Sequence, residues 1–89
     1  MNTSQPAATE AMLASALTAA KSYWAARLGI PLSSLNYVRI AIADLPGTEI
    51  ALTVGGTIYV DRDGGGGGWT TATLNNVVQK ELGHILGQP

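Results

Sequence analysis

Val38-Arg39-Ile40-Ala41-Ile42-Ala43-Asp44-Leu45-Pro46-Gly47-Thr48-Glu49-Ile50-Ala51-Leu52-Thr53-Val54-Gly55-Gly56-Thr57-Ile58-Tyr59-Val60-Asp61 decides the fold. Val38, Ile40 and Ile42 alternate with Tyr37, Arg39 and Ala41, the period of a half-buried strand. Leu45-Pro46-Gly47 breaks that run with a turn. Ile50, Leu52 and Val54 alternate again, and Gly55-Gly56 has the composition of a two-residue hairpin loop. Ile58 and Val60 continue on a third strand, with Thr57, Tyr59 and Asp61 facing the other way.

On the N-terminal side, an alanine-rich stretch from about Pro6 to Leu28 predicts a helix. Leu13, Leu17, Ala20, Trp24 and Leu28 recur at three- and four-residue spacing and form its apolar stripe. Gly29 and Pro31 end it. Residues 1–7 are expected to be a flexible N-terminus and residues 8–89 one domain. On the C-terminal side, the run Gly64 to Gly68 reads as loop, because it has no side chains to pack and a large ordering cost. Trp69 and Thr70 are candidates for a short fourth strand. Thr71 or Thr73 is the expected N-cap of a second helix whose apolar stripe is Leu74, Val78, Leu82 and Ile85. Trp24, Trp69, Tyr23 and Tyr59 read as core or edge aromatics. The expected fold class is α+β: an N-terminal helix, a small mixed sheet of three to four strands, and a C-terminal helix, with both helices covering one sheet.

Composition narrows the function. The 89 residues suffice for one small domain, and 46% hydrophobic residues can supply its core. A net charge of -1 gives no basic field for nucleic acid. The absence of cysteine removes disulfides and thiolate metal sites. No apolar run is long enough to cross a bilayer. Met1-Asn2-Thr3-Ser4-Gln5-Pro6 lacks the basic start and apolar core of a signal peptide, so the chain is either not exported or a piece of a longer exported protein.

The chemistry lies in Lys80-Glu81-Leu82-Gly83-His84-Ile85-Leu86-Gly87. In the pattern H-E-x-x-H, two histidines one helical turn apart bind zinc, and the glutamate between them polarises the attacking water. The metzincin extension adds a glycine three residues on and a third ligand after that. The segment resembles this pattern, with Glu81 at the general-base position, His84 at the second ligand and Gly87 at the turning glycine. Lys80 stands at the first ligand position, and the third ligand would fall one residue beyond Pro89. Positions 80, 84 and 87 share one helical face, roughly opposite the apolar stripe, and Gly83 is expected to remove bulk beside that face. The run from Val38 to Gly47, and Thr57 to Asp63 followed by glycines and Trp69, also resemble segments of matrixin-like, bacterial-type peptidase domains, often found within large secreted proteins.

The resemblance implies the N-terminal subdomain of a zincin-like fold, a zinc cofactor, a peptide or protein substrate and an extracellular setting. The charge and the lack of a long apolar run imply no nucleic acid and no membrane among the chain's partners. The resemblance also implies peptide-bond hydrolysis by a zinc-activated water in the parent family, and the departures from the pattern predict inactivity in this chain. Zinc catalysis needs three protein ligands and an open position, whereas here one ligand is a lysine whose ammonium repels the cation. Three origins stay open: a pseudoenzyme kept for binding, a fragment or inactivated form of a peptidase, and a sequence that copies the family's statistics. The alternative function is a non-catalytic peptide- or protein-binding module on a peptidase scaffold. Asp61 and Asp63 are the weak calcium candidates, since two carboxylates fall short of the six or more oxygens calcium takes. Their simpler reading is a solvated turn capped by aspartate.

Overall fold

A computed structural model describes residues 7–88. The expected helix forms as α1, Glu10–Leu28. It starts at Glu10 because the Thr9 side chain accepts the Met12 N–H at 3.1 Å, capping one of the four free amides of the first turn. Pro6, the expected start, and residues 1–6 of the expected flexible terminus lie outside the described residues. Ala8 is buried, and its N–H donates to the Arg62 carbonyl at 2.9 Å, so the segment entering α1 is tied to the sheet.

A short 3-10 turn, Leu32–Leu35, leads to β1, Arg39–Ala43. β2 is Ala51–Val54, β3 is Thr57–Asp61, and α2 is Thr71–Ile85. The sheet has three strands in the order β1-β3-β2, with β1 parallel and β2 antiparallel to the central β3. The α+β layout expected from the sequence is therefore the observed one. Trp69 and Thr70 make no fourth strand: Trp69 is buried in the core and Thr70 begins α2.

One face of the sheet holds the core. Ile58 and Val60 are fully buried there, with Ile40 and Ile42 beside them, and both helices lie on that side. Leu74, Val78 and Leu82 face it from α2, as their spacing requires. On α1 the buried positions are Leu13, Ala16, Ala20 and Ala25, while Leu28 of the expected stripe is exposed. Small side chains at 16 and 20 let the two helices pack closely, and Gly83 on α2 completes this approach. A Cβ added at Gly83 would stand 2.6 Å from Cζ2 of Trp24. The Trp24 indole donates to the Gln79 carbonyl at 2.7 Å, fixing the helix pair. Gly83 thus serves the helix–helix contact and not the open face that the motif suggests.

β2 is inverted relative to the simplest reading of its pattern. Ile50, Leu52 and Val54 are exposed, and Ala51 and Thr53 turn toward the helices. The cause is the two-residue Gly55-Gly56 loop. It pairs Val54 with Thr57 and Thr53 with Ile58, and paired residues share a face. Once Ile58 and Val60 enter the core, the apolar side of β2 must point outward. The outer face of the sheet consequently exposes Val54, Leu52 and Tyr37.

Candidate functional site

α2 carries the motif and is held at both ends. Thr70, not Thr71 or Thr73, is the N-cap: its hydroxyl accepts the Thr73 N–H at 3.1 Å, and the Thr73 hydroxyl accepts the Thr70 N–H at 3.0 Å. This is a reciprocal capping box. At the other end the Gln88 N–H donates to the Gly83 carbonyl at 2.8 Å and the Gly87 N–H to the His84 carbonyl at 3.1 Å. That pair of bonds is a Schellman closure, which needs a left-handed residue, and Gly87 supplies it with φ of 76°. Gly87 therefore turns the chain sharply, as the motif requires, and the turn also explains itself as ordinary helix termination.

Between these ends, Glu81 enters the groove between α2 and β2. Its side chain is 17% exposed, and Oε1 accepts the Thr53 hydroxyl at 2.6 Å. Its Oε2 lies 3.9 Å from Nδ1 of His84, one helical turn on. That distance is beyond a hydrogen bond and serves as an ion contact when the imidazole is protonated. The His84 side chain is 46% exposed. Lys80 is exposed and makes no ion pair with Glu81. Arg62 meets Asp44 at 3.3 Å. Thr53 is the site residue that the motif does not reveal. The hairpin register alone could have located it, because that register turns Thr53 toward the helices.

The arrangement offers one preset carboxylate beside one imidazole. Among the described residues no three His, Cys, Asp or Glu side chains come together. Glu81 and His84 are two donors, and the residue one turn before His84 is a lysine, so the described donor set falls short of the three ligands zinc needs. The third-ligand position of the resemblance lies outside the described residues.

Asp61 and Asp63 have a different role from the calcium ligation weighed for them. Asp61 is only 4% exposed. Its Oδ1 accepts the Leu45 N–H at 2.7 Å and its Oδ2 the Gly65 N–H at 2.8 Å. Asp63 Oδ1 accepts the Gly66 N–H at 3.3 Å. The Asp61 carbonyl accepts the Trp69 indole N–H at 2.7 Å. Asp61 is thus buried with both carboxylate oxygens committed to backbone donors, while Asp63, Gly66 and Gly67 of the same turn are exposed, so the turn is capped by aspartate as the simpler reading has it, but with Asp61 shielded from solvent. The amides of Gly65 and Leu45, with a further contribution from the Asp63 side chain, hold the Asp61 pKa below the usual carboxylate range against the opposing effect of burial. Gly65 itself is irreplaceable by geometry: its φ is 69°, and a Cβ would stand 2.9 Å from the Thr48 carbonyl oxygen.

No family model matches the chain, and no match was found among curated proteins or solved structures. The resemblance to metzincins rests on sequence alone: the runs Val38 to Gly47 and Thr57 to Trp69, and the segment Lys80 to Gly87.

Proposed function

We propose that the chain is a metallopeptidase-like scaffold that binds an extended peptide in the groove between β2 and α2 and performs no hydrolysis in this form. The observation that carries this reading is the Thr53–Glu81 hydrogen bond, which sets the motif carboxylate directly beside the edge strand. β2 is the last strand on its side of the sheet. In an antiparallel pair, hydrogen-bonded and free residues alternate. Because the Asp61 N–H donates to the Ile50 carbonyl, Ile50, Leu52 and Val54 face β3, and the backbone groups of Ala51 and Thr53 point outward. A peptide added there would complete the ladder, the recognition mode called β-augmentation. At the Ile50 end the groove opens into a recess of about 350 Å3 lined by Ile50, Trp69, Thr73 and Val77, suited to an apolar side chain.

Inertness follows from the donor set. Glu81 would polarise a water only if a cation lowered that water's pKa, and Lys80 opposes a cation one turn before His84. In this proposal zinc is the cofactor of the parent chemistry and not a resident of this chain, and the setting is extracellular, as in the secreted proteins the motif resembles. No described helix is long and apolar enough to cross a membrane.

Two titrations test the proposal. Calorimetry with zinc should find no sub-micromolar site in the chain and at least a roughly tenfold gain in affinity for Lys80→His, lost again on His84→Ala. Equal, feeble binding by all three proteins would refute the motif assignment. In an NMR titration with an extended, β-prone peptide, the amides of Ala51 and Thr53 should shift most. Shifts confined to other surfaces would refute the groove.

A further inference from the structure

α2 borders the groove with a single stripe of residues. At about 100° per residue, Thr73, Val77, Lys80 and His84 fall within an arc of about 60°. Glu81 lies on the sheet-ward margin of that arc, and the buried Leu74, Val78 and Leu82 lie beyond it. The stripe is polarised along its length. Thr73 and Val77 line the recess with Ile50 and Trp69, whereas Lys80 and His84 are exposed. α2 and β2 run in the same direction here, because Thr73 and Val77 share the recess with Ile50 while Glu81, further along the helix, bonds Thr53. The basic half of the stripe therefore flanks the Thr53–Val54 end of the edge strand. Among the described residues Lys80 forms no ion pair: Asp44 is taken by Arg62, and Glu81 by Thr53 and His84.

We propose that the groove selects a peptide with an acidic side chain two residues before an apolar one, the apolar side chain filling the recess and the carboxylate meeting the Lys80 ammonium. This inference rests on the peptide-binding reading above and adds the chemistry of the peptide. Spacing supports it. Lys80 stands five residues past the midpoint of Thr73 and Val77, about 7.5 Å along the helix. Two residues of extended chain span about 6.8 Å, and residues two apart point to the same side. The order follows from strand direction. Antiparallel pairing is the slightly more stable way to add a strand, and an antiparallel peptide runs from the Thr53–Val54 end toward Ile50, so the acid comes first. The ammonium that repels a cation attracts an anion. Glu81 does not cancel that attraction, because its carboxylate lies deeper, only 17% exposed, with one oxygen held by the Thr53 hydroxyl and the other turned to the His84 imidazole. A lysine or arginine at the same peptide position would face Lys80 and is selected against.

The test is an NMR titration with threonine-rich peptides that differ only in the residue two positions before a leucine: glutamate, glutamine or lysine. The glutamate peptide should bind about two- to fivefold more tightly than the glutamine peptide, the range of one exposed ion pair, and the lysine peptide most weakly. High salt should remove the difference. Lys80→Gln, a change at an exposed position, should also remove it, and Lys80→Glu should reverse the order in favour of the lysine peptide. Equal binding of the glutamate and glutamine peptides, with the Ala51 and Thr53 amides shifting in both titrations, would overturn the inference and leave the groove standing. A preference for glutamate that survives Lys80→Gln would overturn it as well, by placing the selecting charge elsewhere. Tighter binding of a peptide with the leucine two residues before the glutamate would overturn the assigned order. Unshifted Ala51 and Thr53 amides with every peptide would refute the groove itself, and this inference with it.

Discussion

Replacing Gly83 by alanine puts two opposing effects in direct competition. Alanine in a helix interior is favoured over glycine by about 1 kcal/mol. At this position, however, the new methyl would stand 2.6 Å from Cζ2 and 3.2 Å from Cε2 and Cη2 of Trp24. The indole cannot simply swing away, because its N–H is bonded to the Gln79 carbonyl on the same helix. Overpacking of a filled interior costs about 1–3 kcal/mol, and loss of the indole bond adds about 1 kcal/mol. The propensity gain is the smaller quantity, so Gly83→Ala should destabilise the domain by about 1–3 kcal/mol. For a chain of this size each kcal/mol lowers the melting temperature by roughly 4–8 °C. Urea denaturation followed by far-ultraviolet circular dichroism and tryptophan fluorescence measures the change. Trp24→Leu provides the internal control, since in that background the clash is gone and Gly83→Ala should become stabilising. A wild-type chain stabilised by Gly83→Ala would show that the helices do not meet at Trp24, and the account of why this motif position is glycine would fail.

Two further perturbations probe the segment that delivers the motif. Asp61→Asn removes the charge that the Leu45 and Gly65 amides solvate, so the variant should be less stable at neutral pH. Because the folded-state pKa of Asp61 is lowered, its contribution is present above the ordinary carboxylate value and is lost as pH falls through the lower folded value. The acid limb of a stability–pH curve should accordingly be shallower in Asp61→Asn, and identical limbs would show that the carboxylate is not the clasp. Thr70→Ala breaks the capping box and should cost about 1 kcal/mol, read as an earlier urea midpoint with an unchanged slope. An equal loss from Thr71→Ala, whose side chain caps nothing, would refute the assigned start of α2.

Much of this arrangement was legible in the residue order. Local periodicity located both helices and the three described strands, and the motif spacing set Lys80 and His84 one turn apart on α2, while Gly87, expected on the same helical face, lies past the helix end in the left-handed turn. What was misplaced has a common cause. The packing role of Gly83 and the burial of Asp61 each depend on a partner distant in sequence: Trp24 on α1, and Leu45 beyond β1. A single strand's alternation shows that it has two faces but not which is inside. The two-residue loop and the strand it joins make that choice.

By itself, then, the sequence determined the elements, their order and the residues able to do chemistry, because propensity, capping and periodicity act over a few neighbouring positions. Only the tertiary structure decided that Thr53 grips Glu81 and that Gly83 receives an indole, because long-range packing selects one pairing from many that local preferences allow. It also decided the strand order β1-β3-β2, which among the described residues puts β1 and β2 at the two edges of the sheet.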